Sequence, residues 1–437
     1  MTPLYDAIRA YAQEKPLRMH MPGHKGKSAM PLGELAAVAS LDVTELGPTG
    51  DLFSPGAPFD QAQALWARDF GMEGCQFLTG GSTQGLHTAL ALSCRPGDAV
   101  LVDRGCHRAV FNAMALLDLR PIYLPRPWWT EEGLTGPISP EMVESVLSQH
   151  PEVKTVCITS PSYSGVLCDV AAISHIVHRH GGKLVVDGAH GAHLPFLGVD
   201  AFGGADLLIC SAHKTLPALG QTALLFYRGE EPERVRRFAS VYGSSSPSYP
   251  MMLSLDAARD WMEGPGRAEY RRAAEGVARL RRRFPALNED MAPLDPTRLT
   301  LMARDGHAMA QRLEELGVFV EMADSGHVVC ILTAMDEEAD FARLEAALDQ
   351  CRDLMGPGPE LPPPPLPRAV LTPRQALFAP ERTLPLEECL GRVAAGQLAP
   401  YPPGVPVVAP GEMISEKELA YLKEIGYNND LVPVVER

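Results

Sequence analysis

The chain has 437 residues, 46% of them hydrophobic and 21% charged, which is enough to bury a large core spread over two or three domains. Its 39 basic and 54 acidic residues leave a formal net charge of −15, which argues against nucleic acid as a partner and is compatible with a cationic substrate. Nine cysteines stand singly with no CxxC pair, and neither a leader-like apolar segment nor a membrane-length apolar run occurs. Reduced thiols, no metal, no membrane partner and a cytoplasmic location are therefore expected.

Taken in chain order, Thr2-Pro3 followed by Leu4, Ile8 and Tyr11 predicts a capped amphipathic helix that ends before the loop Met21-Pro22-Gly23-His24-Lys25-Gly26-Lys27. From about residue 60 to 240, helices alternate with short apolar strands. Helices are predicted at 61–70, 82–94, 107–117, 141–149 and 171–180. Strands are predicted at 75–78, 99–103, 121–124, 155–159, 183–186, 206–210 and 223–227. Near-continuous apolar strands separated by helices mean a parallel sheet covered on both faces. A smaller α/β unit follows, with strands at 299–302, 318–322 and 328–332 and helices at 307–316 and 337–351. The proline-rich stretch 356–368 reads as a stiff extended connector. The expected division is an N-terminal segment 1–58, a large domain 59–284, a small domain 285–355, the linker 356–368 and a C-terminal segment 369–437.

In a doubly wound sheet, ligands bind beyond the carboxyl ends of the strands. Three segments bring chemistry to that edge. Gly80-Gly81-Ser82-Thr83-Gln84-Gly85 joins a strand to a helix, and its glycines, hydroxyls and helix N-terminus suit a phosphate; a plain helix cap is the other reading. Asp187 ends the strand 183–186, where a carboxylate needs a cation or strong donors. Ser211-Ala212-His213-Lys214-Thr215 follows the strand 206–210 and places a lysine where it can form a Schiff base. Phosphate loop, strand-end aspartate, then lysine is the order expected for pyridoxal 5′-phosphate. In it Asp187 keeps the pyridine nitrogen protonated and Lys214 holds the carbonyl carbon.

Several motifs then carry a resemblance. Met19-His20-Met21-Pro22-Gly23-His24-Lys25-Gly26, Thr44-Glu45, Asp103-Arg104-Gly105-Cys106-His107-Arg108 and Thr159-Ser160-Pro161-Ser162-Tyr163-Ser164-Gly165 stand in the first half. Asp187-Gly188-Ala189-His190-Gly191-Ala192-His193, Lys214 with its neighbours, and Ser244-Ser245-Ser246-Pro247-Ser248-Tyr249 follow. Tyr401-Pro402-Pro403-Gly404-Val405-Pro406 and Pro410-Gly411-Glu412 complete the series. In this order they resemble the bacterial ornithine/lysine/arginine decarboxylases in their short form.

The resemblance implies an aspartate-aminotransferase-like, fold type I domain with a mostly parallel central sheet and a smaller C-terminal α/β domain. It implies a homodimer or higher homo-oligomer acting on a small amino-acid substrate. By motif, Lys214 is the Schiff-base lysine, Asp187 the partner of the pyridine nitrogen and His107 the residue stacked on the ring, with Ala189 on the opposite face. Gly81, Ser82, Thr83, Ser211 and His213 fall to the phosphate, His190 lines the substrate side, and Ser244, Ser245 and Ser246 reach the neighbouring subunit's phosphate.

Two positions depart from the family pattern: Gly188 stands where an acid usually follows the strand-end aspartate, and Gly50-Asp51-Leu52 replaces Asp-Asp-Leu. Both bear on how a distal cation is held, for which Glu45 and Asp51 remain. The implied reaction is decarboxylation of lysine, ornithine or arginine. The runner-up is another reaction of the same cofactor on a different amino acid, and the third reading is a non-catalytic cofactor-binding paralogue. His20, His24, His175, His178 and His180 read as ordinary surface histidines, the last three without carboxylate partners.

Overall fold

The computed structural model describes residues 1–27, 33–400, 405–427 and 431–436. The expected segment Tyr401 to Gly404 lies outside them. Among the described residues nine strands precede the small lobe: β1 (Gly74–Leu78), β2 (Ala99–Asp103), β3 (Arg120–Leu124), the two-residue pair β4 (Trp128–Trp129) and β5 (Leu134–Thr135), β6 (Thr155–Thr159), β7 (Lys183–Asp187), β8 (Leu207–Cys210) and β9 (Ala223–Tyr227). Seven of them form the central sheet in the order β1-β9-β8-β7-β6-β2-β3. β2 pairs in parallel with β3 and β6, and β6 with β7. β9 runs antiparallel to both β1 and β8, so the central sheet is mostly parallel, as the resemblance implies. Period-two sequence patterns do not record strand direction, and β9 is as uniformly buried as its parallel counterparts.

The chain divides into two compact units. The first comprises Met1–Leu92, Gly188–Asp200 and Ala205–Tyr270. In it α1 (Pro3–Gln13) buries Leu4, Ile8 and Tyr11 at helical spacing. Thr2 does not cap this helix as expected. Its hydroxyl turns to Asp6, and the amides of Leu4 and Tyr5 donate instead to Asp256 Oδ2, at 2.8 and 3.0 Å. A buried carboxylate from a distant helix thus takes the place of the local hydroxyl. α2 (Phe59–Asp69) and α3 (Gly81–Ser93) flank β1 in sequence, and the four-residue α7 (Ala212–Thr215) follows β8. No helix is predicted from the sequence at α8 (Pro232–Val241), α9 (Tyr249–Trp261) or α10 (Arg267–Arg283), although Tyr270, Ala273, Val277 and Leu280 recur at helical spacing along α10 and are buried.

The second unit comprises Ser93–Asp187, Ala201–Gly204 and Arg271–Arg437. It holds β2, β3, β6 and β7 with α4 (Arg108–Leu117), α5 (Pro140–Gln149) and α6 (Val170–Arg179). His180 at the end of α6 lies 3.0 Å from Glu144 on α5, so the expectation that it lacks a carboxylate partner is wrong: the partner comes from a neighbouring helix. A small antiparallel sheet has the order β10 (Arg298–Met302), β12 (His327–Ile331), β11 (Met322–Ala323). With α11 (Gly306–Glu315) and α12 (Glu338–Asp349) it encloses Leu299, Leu301, Leu313, Val328, Phe341 and Leu348. The strand expected at 318–322 shrinks to Met322–Ala323. Gly317 adopts φ +75 and the Val318 amide donates to Leu313 O, so the C-terminal turn of α11 consumes the first part of the apolar run.

After the linker come α13 (Pro373–Leu377), β13 (Glu381–Pro385), α14 (Glu416–Glu424) and β14 (Leu431–Val435), around a core that includes Leu398, Val408, Ile414, Leu422 and Val434. All nine cysteines are free thiols, and no described helix is long and apolar enough to cross a membrane.

Candidate active site

In the first unit, β8 is entirely buried and delivers the chain to Ser211, after which α7 carries His213 and Lys214. Lys214 Nζ lies 3.0 Å from His190 Nε2, and His190 is 6% exposed. A hydrogen bond between two nitrogens needs a lone pair on one of them, so the pair holds one proton fewer than two full cations would. Ala189, adjacent in sequence to His190, is also buried. His213 Nδ1 is 2.8 Å from the carbonyl of Thr222, which makes Nδ1 the donor and leaves Nε2 for another group.

The phosphate-like cradle is in the same unit. Gly81 opens α3 with φ +69, and a side chain there would meet nothing nearer than Gln221 O at 3.7 Å. Ser82 Oγ and Ser211 Oγ are 2.5 Å apart, so two hydroxyls from different elements converge beside a helix N-terminus, where backbone amides lack intrahelical partners. Gln84, which the sequence did not single out, anchors that terminus. Its side chain accepts from the Gly80 amide at 2.8 Å and donates to Ala239 O at 2.8 Å. Thr83 is exposed, as are Ser244, Ser245 and Ser246; the amide of Ser246 donates to Ser244 Oγ at 3.2 Å.

Glu45 and Asp51 form a separate group. Glu45 accepts from Thr44 Oγ1 at 2.6 Å, and Asp51 from the Phe53 amide and Ser54 Oγ at 2.9 and 2.6 Å. The phenol of Tyr249 donates to Gly50 O at 2.6 Å, and burial, with the charges of Glu45 and Asp51, pushes it well above its ordinary range.

The second unit holds Asp187 at the end of β7, 3% exposed, in register with Thr159 on β6. The carbonyl of Asp187 accepts from the Ser160 amide at 3.1 Å. On the next strand but one, Asp103 ends β2 and is fully buried. It accepts from the amides of Gly105 and Thr159 at 2.7 and 3.1 Å and from Arg126 Nη2 at 2.6 Å. Arg126 also donates to Thr159 O at 2.6 Å, so this pair ties the ends of β2 and β6 together. His107 caps α4, with Nδ1 accepting from the Ala109 amide at 3.2 Å. Burial pushes the Cys106 and Cys157 thiols up, and the charges of Asp103 and Asp187 add to it, so both stay neutral filler between the acids.

These residues fit pyridoxal 5′-phosphate. The paired Ser82 and Ser211 hydroxyls and the α3 terminus that Gly81 opens are a donor set suited to a phosphate. Lys214 offers an amine with a basic neighbour. Among the described residues no group of three or more His, Cys, Asp or Glu is placed to hold a metal ion.

Comparison with known proteins agrees. The family described as "Orn/Lys/Arg decarboxylase, major domain" matches residues 2–300, and "Orn/Lys/Arg decarboxylase, C-terminal domain" matches residues 364–436. The chain is 30% identical to the arginine decarboxylase of Bacillus subtilis (strain 168), over 96% of this chain and 93% of that protein. The crystal structure of the Francisella novicida lysine decarboxylase superposes with a TM-score of 0.85 at 19% identity, covering 100% of this chain and 81% of that one. An alanine–glyoxylate aminotransferase from Nostoc superposes with a TM-score of 0.55 at 20% identity, over 67% of this chain and 85% of that one. The chain therefore belongs to the Orn/Lys/Arg decarboxylase family and is an amino-acid decarboxylase, a carbon–carbon lyase that uses pyridoxal 5′-phosphate.

Proposed function

We propose that the enzyme removes the α-carboxylate of a basic L-amino acid, with arginine the first candidate and lysine and ornithine the others. The observation that carries this reading is the Lys214–His190 contact in the same unit as the Ser82–Ser211 hydroxyl pair. The near-full-length similarity to an arginine decarboxylase supports the choice of first candidate. When bound, the cofactor supplies an electron-accepting ring that takes up the electrons of the breaking Cα–carboxylate bond.

The chain's own residues do the rest. Lys214 Nζ would hold the cofactor's carbonyl carbon, and His190 Nε2 would take or return a proton at Nζ. Ser82, Ser211, His213 and the amides opening α3 from Gly81 to Thr83 hold the phosphate. Asp187 would pair with the protonated ring nitrogen, His107 would stack on the ring and Ala189 would pack on its opposite face. Glu45 and Asp51 attract the distal cation of the substrate. Ser244 to Ser246 serve the site of a partner subunit in a cytoplasmic homodimer or larger assembly. Segments 59–284, 285–355 and 369–437 are the large domain, small domain and C-terminal segment of this enzyme.

The test is to incubate cofactor-loaded protein with carboxyl-labelled arginine, lysine and ornithine and to identify both products. Labelled carbon dioxide with agmatine, cadaverine or putrescine is the expected result. A keto acid without carbon dioxide overturns it in favour of transamination.

A further inference from the structure

We infer that Glu412 is a positioning residue for catalysis, through which the C-terminal segment fixes Arg104 and the turn that carries His107. The inference rests on the reading of His107 as the residue that lies against the cofactor ring.

Glu412 is 1% exposed. It follows Gly411, whose φ is +90 and whose absent side chain would sit 2.3 Å from Leu371 O, so the backbone reaches this place only with glycine. Glu412 Oε2 accepts from the Ala409 amide at 2.7 Å and from Arg104 Nη2 at 2.9 Å. The same Nη2 donates to Val407 O at 2.9 Å. The guanidinium lies 5.0 Å from the ring centre of Tyr123 and 5.5 Å from that of Phe111, so its plane is held from the sides as well. Arg104 stands three residues before His107, and the residues between them have no slack. The Gly105 and Cys106 amides both donate to Asp103, and Cys106 is fully buried.

The C-terminal segment also grips the helix that His107 starts. Gln397 Nε2 donates to Arg108 O at 3.3 Å and to Asn112 Oδ1 at 2.7 Å. Arg374 Nη1 donates to Leu116 O at 3.2 Å, at the far end of α4. One segment therefore holds both ends of α4 and the turn before it. Stability does not explain the charged pair, because apolar side chains of similar volume in such a place are often as stable or more so. What the pair adds is direction: Arg104 Nη2 is held between Glu412 Oε2 and Val407 O.

The test compares Glu412→Gln and the double variant Arg104→Met/Glu412→Met with wild type, and repeats Glu412→Gln in a His107→Ala background. Urea midpoint, the visible circular dichroism of bound cofactor, kcat and KM are read for each. Misplacement of about 1 Å costs up to about a hundredfold in rate, so Glu412→Gln is expected to lower kcat at least about tenfold with KM little changed and to alter the dichroism. The double Met variant is expected to keep the wild-type urea midpoint yet stay slow. Glu412→Gln added to His107→Ala is expected to cost nothing more. Recovery of kcat together with stability in the Met pair, or full multiplication of the two losses in the combined variant, overturns the inference. If the Met pair does not fold, the Glu412→Gln and His107→Ala cycle decides alone. Unchanged kcat and dichroism in His107→Ala defeats the underlying reading of His107, and the inference falls with it; a slow His107→Ala whose loss multiplies with Glu412→Gln defeats the inference only.

Discussion

Lys214 Nζ and His190 Nε2 share a hydrogen bond of 3.0 Å, although 24 residues and a strand separate them in the chain. Because one partner must offer a lone pair, the proposed role of His190 is that of a base within reach when the amine has to become nucleophilic. Lys214→Ala is expected to abolish both carbon dioxide release and the visible absorbance of lysine-bound cofactor. Persistence of both signals would remove Lys214 from the site. His190→Ala is expected to slow turnover by about 10²-fold, typical of a lost acid–base group, with a changed pH–rate profile.

The Ser82–Ser211 contact predicts shared phosphate binding. A hydrogen bond to a charged group is worth about 1.5–3 kcal/mol, so Ser211→Ala should weaken cofactor binding by roughly tenfold to a hundredfold. Equilibrium dialysis of the apoprotein reads this directly, and an unchanged dissociation constant would place the phosphate elsewhere.

Asp103 and Arg126 form a charge pair with side chains 0% and 3% exposed. Removing one member strands the other in a poorly polarisable interior, at a cost of about 3–5 kcal/mol. Asp103→Ala should therefore shift the urea midpoint far down. A surface-like change of under about 1 kcal/mol would show that water reaches the pair.

Asp256, and not Thr2, satisfies the opening amides of α1. Asp256→Ala should cost about 1–3 kcal/mol, as for a buried donor left unpaired, and speed amide exchange in residues 3–13. Thr2→Ala should leave both nearly unchanged. The reverse order of effects would restore the local cap.

Acid should loosen the small lobe through Asp324. Burial alone would raise its carboxyl, but the His327 hydrogen bond and charge and the amides of Gly326 and His327 outweigh that and hold it below the usual carboxylate range. With the folded value depressed, the unfolded chain binds more protons as acid is added. The stabilisation is therefore complete above the unfolded value of about 3.9 and drains away as pH falls through the folded one. Asp324→Asn should be less stable at neutral pH and lose less on acidification, as followed by thermal melts from pH 7 to 3. An unchanged slope would mean that His327 holds no such carboxylate.

Much of this was legible beforehand because it is local. Strand ends at Asp103, Asp187 and Cys210, and the glycine-opened helix at Gly81, follow from apolar run length and from what glycine and hydroxyls do at a helix start. What stayed hidden is non-local pairing. Gln84 reaching Ala239, Asp103 meeting Arg126, Asp256 capping α1 and Glu412 meeting Arg104 each join residues 23 to 308 positions apart. The 318–322 run misled because a helix end and a strand start compete for the same apolar residues, and the Gly317 turn won.

The reversed strand β9 has a consequence for the cradle. A parallel strand in its place would end where β1 and β8 end, leaving the rim proposed to hold the phosphate open between them. Running the other way, β9 starts at that rim, so Gln221 O lies close to the Gly81 backbone and Thr222 O accepts from His213 Nδ1. If the phosphate sits where we propose, the length of the short loop before Ala223 would act as a spacer beside it. A single inserted residue there would be felt at the cofactor before it was felt by the fold.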